Sequence, residues 1–213
     1  MRIKKTVVAA AVALCALQAQ ALTWTITGGA YSTQSGARHE TFDAPAIDAN
    51  QALNLNYSGG ALFNASIDGI TARPPGSIGN FLSVGGSGGQ SGPIILNLLA
   101  APATYFGFLW GSPDDYNHVA FYDGDELLKS LSGGDVFANP NPANGFQGAF
   151  QNGQYFNAFA GAGERITRVV FSSDGNAFET DNHAMTVPEP GTYAMLLAGL
   201  GALGFVAKRR KAA

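Results

Sequence analysis

The chain has 213 residues, of which 13% are charged and 46% are hydrophobic, and its formal net charge is −3. Globular domains carry roughly 25% charged residues on average, so this chain is poor in charge. The apolar content excludes an intrinsically disordered chain, because enough hydrophobic surface exists to offset the entropy lost on folding, and the length favours one domain.

The first 21 residues have the pattern of a secretory signal peptide. Arg2, Lys4 and Lys5 precede an apolar run that is shorter than the roughly 20 residues needed to span a bilayer. Ala19 and Ala21 are the small residues that signal peptidase accepts at its cleavage site. We therefore expect cleavage by signal peptidase after Ala21 and export of the remaining chain.

Residues 22–187 contain short runs rich in aromatic and β-branched residues, separated by Gly, Asn, Pro or Asp, and no convincing amphipathic helix. The predicted strands are Thr23–Ile26, His39–Phe42, Ala61–Ile67, Phe81–Val84, Ile94–Leu99, Thr104–Trp110, His118–Tyr122, Glu126–Leu131, Tyr155–Phe159, Ile166–Ser172 and Phe178–Val187. This number of strands in about 166 residues predicts an all-β protein of two packed antiparallel sheets. A jelly-roll-like β-sandwich fits best, and an immunoglobulin-like sandwich is the alternative.

Turn and loop signals separate several of these runs. Asp123-Gly124 predicts a tight hairpin turn, because Asp and Gly accept the positive φ that such turns require. Residues 85–92 are rich in Gly, and residues 139–145 are rich in Asn and Pro, so both segments are predicted loops.

The sequence contains no recognisable catalytic motif. His39, His118 and His183 are widely separated, and neither a G-x-S-x-G elbow nor an H-E-x-x-H motif occurs. Asp114 and Asp115 are adjacent, so in a strand they would face opposite ways, and we interpret them as turn residues. The sequence therefore predicts a protein that is not an enzyme.

Aromatic side chains are candidates for sugar contacts, because planar rings stack on the apolar faces of pyranoses. Trp110 lies in an alternating aromatic run and is expected in the core. Tyr116 stands beside Asp114, Asp115 and Asn117 in a predicted loop. Tyr116 is therefore the candidate ligand-binding residue.

Residues 188–211 differ in composition from the predicted sandwich. A Pro-Glu-Pro triplet opens this segment, and an apolar stretch follows, for which we predict a transmembrane helix at about 192–207. Four consecutive cations form a basic tail at 208–211. Because cations resist translocation, we expect this tail in the cytoplasm.

This order of features resembles the PEP-CTERM sorting signal of exosortase-dependent surface proteins in Gram-negative bacteria. The residues that carry the resemblance are Pro188, Glu189, Pro190, Lys208, Arg209 and Arg210. The resemblance implies that an exosortase-type membrane enzyme recognises the segment and cuts near the triplet. It also implies transient anchoring in the inner membrane, followed by transfer to the cell surface or the extracellular matrix.

The exported part of the chain is acidic. Without the two ends, five of the 12 cations and 14 of the 15 acids remain, which gives a net charge of −9. The remaining cations are not clustered, so no basic patch is available for phosphate contacts and we expect no nucleic-acid binding. Cys15, the single cysteine, lies in the predicted signal peptide, so we expect a domain without disulfides.

Three internal strings, residues 105–112, 117–124 and 178–182, resemble exported domains of PEP-CTERM proteins that look like a galactose-binding-type jelly roll. Such jelly rolls often hold a structural calcium ion between an early strand and the last strand. The resemblance implies Asp43, Asp181 and Asn182 as its ligands. Carboxylate and amide oxygens are ligands that calcium prefers.

These features predict an exported, non-catalytic surface or biofilm-matrix protein that adheres to exopolysaccharide. The alternative is a secreted carbohydrate-active hydrolase with a β-sandwich fold, which would need two carboxylates facing each other across a cleft. An exposed aromatic contact without converging acids would favour the binding protein over the hydrolase.

Overall fold

A computed structural model describes residues 21–43, 55–87, 92–98, 101–136, 153–186 and 199–200. These residues form twelve β-strands and a four-residue helix, α1, at Gly133–Val136, and Gly199 and Leu200 are also helical. In chain order the strands are β1 Thr23–Gly28, β2 Arg38–Glu40, β3 Asn56–Ser58, β4 Ala61–Phe63, β5 Phe81–Val84, β6 Ile94–Asn97, β7 Tyr105–Trp110, β8 Asn117–Asp123, β9 Glu126–Ser132, β10 Gln154–Phe159, β11 Arg168–Ser173 and β12 Phe178–Thr186.

The strands form two antiparallel sheets that pack face to face. Sheet A has seven strands in the order β1-β10-β7-β12-β5-β4, with β2 also paired to β12. Sheet B has five strands in the order β3-β6-β11-β8-β9. Phe108 of sheet A meets Phe171 of sheet B with ring centroids 5.1 Å apart, inside a core drawn from both sheets. The predicted all-β architecture of two antiparallel sheets is confirmed.

The burial of side chains follows the two faces of each sheet. β8 and β11 bury alternate residues, as expected for strands with one face in the core and one toward solvent. β7 is buried along its whole length. On the outer face of sheet A its side chains belong to a second hydrophobic cluster, formed by Tyr105, Leu109, Tyr155 and Ala184. Ala30 and the segment around it cover this cluster, so the outer face of β7 is buried as well as the inner face. Trp110, 1% exposed, lies in the main core as predicted.

The last eight strands pair in a nested pattern around one hairpin. β8 pairs with β9, β7 with β10, β6 with β11 and β5 with β12, each pair enclosing the previous one in the sequence. The hairpin at the centre turns at Gly124, whose φ is +58°. The turn predicted at Asp123-Gly124 is confirmed.

A β-bulge in β12 changes the direction in which its side chains point. Between Asp181 and Ala184, β12 has one residue more than the facing stretch of β7. Asn182 lies in this bulge with a φ of +49°. The extra residue turns Thr180 and His183 toward each other, with Thr180 Oγ1 2.9 Å from His183 Nε2.

His183 is a core residue whose two ring nitrogens both have partners. Its Nδ1 lies 2.8 Å from the Tyr57 hydroxyl, and its Nε2 lies near Thr180. The ring packs against Phe106 and Phe171 at centroid distances of 5.5 Å and 5.3 Å. Burial lowers the pKa of His183 to about 3, so the imidazole is neutral in the core.

One predicted strand is much shorter in the structure, and one observed strand was not predicted. The strand predicted at Ala61–Ile67 ends at Phe63, and Ile67 instead forms an isolated bridge to Thr71 within the connection to β5. β3, a three-residue edge strand at Asn56–Ser58, has no counterpart in the prediction. A run of three residues is too short to show an alternating pattern in the sequence.

The predicted transmembrane helix at about 192–207 lies almost entirely outside the described residues. Gly199 and Leu200 are described and helical, and Leu200 is 56% exposed. Within the described part of the chain, no helix is long and apolar enough to cross a membrane. The predicted loop at 139–145 also lies outside the described residues.

Candidate functional site

A cleft of about 700 Å³ opens at the end of the sandwich where β7 ends and β12 begins. The β4–β5, β7–β8 and β11–β12 connections build its walls. Its rim carries the exposed or half-buried residues Asp68, Tyr116 and Asn176. Its base carries the buried residues Ser112, Asp114 and Glu179.

Tyr116, the sequence-predicted ligand contact, is on one wall of this cleft. One side of its ring packs on Gly175, where a Cβ atom would come within 3.1 Å of the ring carbons. Its hydroxyl donates a hydrogen bond to Asn176 O at 3.2 Å. Burial and the neighbouring Asp114 carboxyl raise the pKa of Tyr116, so the phenol keeps its proton at neutral pH.

Asn176 holds three connections together at the rim. Its side-chain amide donates to Gly69 O at 3.0 Å, which ties the β11–β12 connection to the β4–β5 connection. Its Oδ1 accepts the N–H of Gly86 at 2.8 Å, and its amide also donates to Ser87 Oγ. Asn176 therefore joins the β11–β12 wall of the cleft to the β4–β5 wall and to the neighbouring β5–β6 connection.

Glu179 forms the base of the cleft and is 2% exposed. Its Oε1 accepts hydrogen bonds from the Ala72 N–H at 2.7 Å and from the Thr71 hydroxyl at 3.2 Å. Its Oε2 accepts a hydrogen bond from the Ser112 hydroxyl at 3.1 Å. Burial raises the pKa of Glu179 to about 7, although these hydrogen bonds act in the opposite direction.

Asp114 is the second acid at the base and is 1% exposed. Its Oδ1 is buried without a hydrogen-bond partner, and burial raises the pKa of the carboxyl against the effect of the Tyr116 and Ser112 hydroxyls. Ser112 thus lies between Asp114 and Glu179. Asp115, by contrast, is exposed, and both acids lie in the β7–β8 connection, where the Asn117 N–H donates to Asp114 O at 3.0 Å, as expected for turn residues.

Asp181 lies on β12, two residues beyond Glu179, and is fully buried. Its Oδ1 accepts the Asn182 N–H at 2.6 Å, whereas its Oδ2 has no hydrogen bond of normal geometry. Burial raises the pKa of Asp181 to about 7, the Ser77 hydroxyl lowers it, and Asp43 raises it further. Asp43 and Asp181, both predicted calcium ligands, are therefore brought close enough to repel each other.

Asp43, Ser77 and Asn182 complete this second group of oxygen-bearing residues. Asp43 Oδ1 accepts the Asn80 N–H at 2.7 Å. Ser77 Oγ is buried without a hydrogen bond of normal geometry. Asn182 donates its side-chain amide to Ala30 O at 2.8 Å. Among the described residues, no group of three or more His, Cys, Asp and Glu side chains could hold a metal ion. A calcium ion bound by the Asp43 and Asp181 carboxylates would therefore need hydroxyl, carbonyl or water oxygens as its other ligands.

The residues predicted to take part in processing lie mostly outside the described chain. Ala19, the Pro-Glu-Pro triplet at 188–190 and the basic tail at 208–211 are all outside it, and Ala21 is described as exposed just before β1. Cleavage and sorting at these positions stay predictions of the sequence. His39 and His118 are both at least partly exposed and lie on β2 and β8, apart from the cleft.

Sequence reasoning missed Glu179 and Ser77. Glu179 lies in the closing strand between Phe178 and Thr180, and a charged residue next to an aromatic residue in a predicted strand was the available signal. Ser77 is a loop serine with no distinguishing sequence pattern. Its position over β12 comes from the path of the β4–β5 connection across the outer face of sheet A.

Comparison with known proteins identifies the segment that follows the sandwich. Residues 186–211 match the family model of the PEP-CTERM protein-sorting motif. Comparison with curated proteins and with solved structures gives no match. The matched range begins at Thr186, the last residue of β12. The chain therefore carries a PEP-CTERM protein-sorting motif, which implies processing by an exosortase-type enzyme, export and sorting to the cell surface.

Proposed function

We propose that this exported protein is a non-catalytic component of the cell surface or extracellular matrix that binds exopolysaccharide through the cleft around Tyr116. The observation that carries the proposal is a half-buried aromatic ring in a cleft of about 700 Å³ with a polar rim. Saccharide sites combine such a ring with a few oriented polar groups. The sorting motif supports the location, because matrix polysaccharide surrounds the cell surface.

The fold class that we infer is a jelly roll of the galactose-binding type. A jelly roll has eight strands in two sheets, and its strand pairs are nested so that the first strand pairs with the last. The orders β5-β12-β7-β10 in sheet A and β6-β11-β8-β9 in sheet B support this inference. Lectin domains use this architecture, so it is compatible with saccharide binding.

The charge of the cleft favours an uncharged ligand. Asp68 is exposed on the rim, and the exported part of the chain carries a net charge of −9. A uronic-acid polymer would bring carboxylates toward these acids and be repelled. The substrate class that we propose is therefore a neutral polysaccharide.

Tyr116→Ala is expected to weaken binding of neutral oligosaccharides about tenfold, which corresponds to about 1.4 kcal/mol. The physical reason is the loss of the ring that contacts the apolar sugar face, while the hydrogen bonds of Glu179 at the base of the cleft involve other residues. Binding is measured by titration calorimetry of the wild type and the variant against a panel of neutral and uronate oligosaccharides.

The matched control is Tyr122→Ala. Tyr122 is a half-buried tyrosine on β8, with the Arg168 guanidinium 4.2 Å from its ring centre, and it does not line the cleft. Binding by this variant should equal that of the wild type. Equal affinities of Tyr116→Ala and the wild type would contradict the proposal, as would a panel in which only uronates bind.

One observation favours the alternative function, a carbohydrate-active hydrolase. Asp114 and Glu179 lie at the base of the same cleft, and both carboxyls have raised pKa values, as a general acid requires. Against it, both Glu179 oxygens accept hydrogen bonds from the protein, and each acid is at most 2% exposed. Release of reducing ends from a bound polysaccharide that stops in Glu179→Gln would establish the hydrolase.

We also propose that a structural calcium ion binds between Asp43 and Asp181. The buried Asp181 Oδ2 and Ser77 Oγ, both without hydrogen bonds of normal geometry, support the proposal. A divalent cation would supply the missing partner and offset the repulsion between the two carboxylates. Asn182 would act as a positioning residue, because its N–H fixes Asp181 Oδ1 and its amide is fixed by Ala30.

Calcium is expected to raise the melting temperature of the protein, and Asp181→Asn should abolish the rise. Binding to the native state alone adds about 2.7 kcal/mol at a hundredfold excess over Kd. Thermal melts followed by circular dichroism in calcium and in chelator measure the difference. Asp125→Asn, an exposed acid at the tip of the β8–β9 hairpin, should keep the full calcium response. A wild-type protein that melts at the same temperature in both solutions would refute the site.

A further inference from the structure

The two segments that are predicted to link the sandwich to the membrane leave it at the same end of sheet A. β1 begins at Thr23, two residues after the predicted signal-peptide cleavage, and β12 ends at Thr186, where the sorting motif begins. In the sheet register Thr23 pairs with Phe159, Phe159 with Tyr105 and Tyr105 with Thr186. These residues form one row across the sheet, which we call the exit pole.

This row of paired residues gives the distance between the start of β1 at Thr23 and the end of β12 at Thr186. Three strand spacings separate β1 from β12, because β10 and β7 lie between them. At roughly 4.8 Å per spacing, the two chain segments leave the fold about 14 Å apart. Both can therefore reach one membrane surface at the same time before the signal peptide is removed.

The cleft lies at the opposite end of the same strands. β7 runs from the exit pole at Tyr105 to Trp110, and the cleft residues Ser112 and Tyr116 follow it. β12 runs the other way, from Phe178 beside the cleft to Thr186 at the exit pole. Phe178 and Thr186 are eight residues apart, and the bulge takes one of these steps out of the ladder, so at about 3.3 Å per step β12 separates the cleft from the exit pole by about 23 Å.

The chain between β12 and the predicted helix is too short to allow the inverted orientation. Six peptide steps lead from Thr186 to residue 192, where the predicted membrane helix begins, and they span at most about 21 Å. If the cleft faced the bilayer, its rim loops, which carry Asp68 and Tyr116, would also lie between the strand end and the membrane, so Thr186 would be more than about 23 Å from the bilayer. The exit pole at Thr186 is held within the fold, since Thr104 N–H donates to Thr186 O at 3.1 Å.

We propose that the membrane-held protein stands on its exit pole, with the bilayer as the partner of that surface and the cleft directed away from it. The cleft is then open to matrix ligands before the chain is processed. The proposal concerns orientation alone and does not depend on which ligand the cleft binds. It rests on the predicted helix at about 192–207 as the anchor.

The test uses the chain with Cys15→Ser, expressed in a host without exosortase and reconstituted into vesicles of phosphatidylethanolamine and phosphatidylglycerol. Because Cys15 is the single cysteine, each added cysteine is then unique. Ala162→Cys reports the exit pole, since this exposed residue lies in the β10–β11 connection beside Phe159. Asp115→Cys reports the cleft end, and Ser130→Cys, exposed on β9, reports the side of the sandwich.

Each variant is labelled with a maleimide on a long polyethylene glycol chain, in vesicles and after solubilisation in detergent. The expected result is labelling of Ala162→Cys about an order of magnitude slower in vesicles than in detergent, with no change for Asp115→Cys and a smaller change for Ser130→Cys. Equal slowing at both ends, or slowing confined to Asp115→Cys, would overturn the proposal. A chain that does not float with the vesicles would overturn it as well, because the anchor would be missing.

Discussion

Replacement of Pro188, Glu189 and Pro190 by alanine is expected to stop C-terminal processing and release while the sandwich stays folded. β12 ends at Thr186, so the described sheet is complete before the triplet begins. The sorting-motif match starts at this same residue, so the triplet lies inside the matched segment. Cell fractionation and mass spectrometry of the mature C-terminus measure the outcome.

A matched control separates lost recognition from misfolding. Lys129→Ala combined with Ser130→Ala changes two exposed residues of β9, far along the chain from the motif, and should be processed like the wild type. The triple variant should melt at the wild-type temperature. Release of the triple variant at the wild-type rate would show that the processing enzyme does not read the triplet.

Glu179→Gln is expected to stabilise the sandwich by about 3 kcal/mol at pH 8 and to change its stability little near pH 4. Glutamine can still accept the Ala72 N–H through Oε1, and its amide can donate to Ser112 Oγ. The variant therefore keeps the connections at the base of the cleft and removes the buried negative charge.

The expected gain in stability at high pH follows from the raised pKa of Glu179. The pKa is about 7 in the fold and 4.5 in the unfolded chain, so between these values the native state keeps a proton that the unfolded chain has released. The free energy of unfolding therefore falls as pH rises through this window and levels off above it. Asp181, with a pKa raised to about 7, acts in the same direction, so Glu179→Gln reduces the pH dependence without abolishing it.

Urea unfolding at a series of pH values, in chelator, measures this effect. Chelator is required because calcium at Asp181 would hold that carboxylate ionised. Glu126→Gln, an exposed acid in the same fold, should leave the pH dependence as in the wild type. If Glu179→Gln and the wild type lose stability equally between pH 4 and pH 8, Glu179 does not carry the buried charge.

The strands were predictable wherever local pattern and tertiary environment agree. Phe81–Val84, between Asn80 and Gly85, and Tyr105–Trp110, before Gly111, are short apolar or aromatic runs, and they form strands at or near the predicted limits. Asp123-Gly124 was predictable because a positive φ restricts the residue type at one position. In each case the deciding interaction is within a few residues of the chain.

The candidate sites were only partly predictable, because their contacts join distant parts of the chain. Tyr116 lines the cleft, as its position in a predicted loop suggested. Glu179 lines the same cleft from β12, and its carboxylate accepts a hydrogen bond from Ala72, which is more than a hundred residues away in the sequence. Thr180 and His183 are polar residues in a core strand, and only the bulge at Asn182 makes them partners. Neither the contact of Glu179 with Ala72 nor that of Thr180 with His183 could be predicted from residue type or sequence spacing.

The position of β12 decides how the molecule would bear a mechanical load. A force on the C-terminal segment acts on the fold at Thr186, and a ligand bound in the cleft, as we propose, would hold the fold near the other end of the same strand. β12 is bonded to β7 on one side and to β5 and β2 on the other. Ladder hydrogen bonds lie perpendicular to the strands, so a force along β12 strains many of them in shear at once rather than opening them one by one.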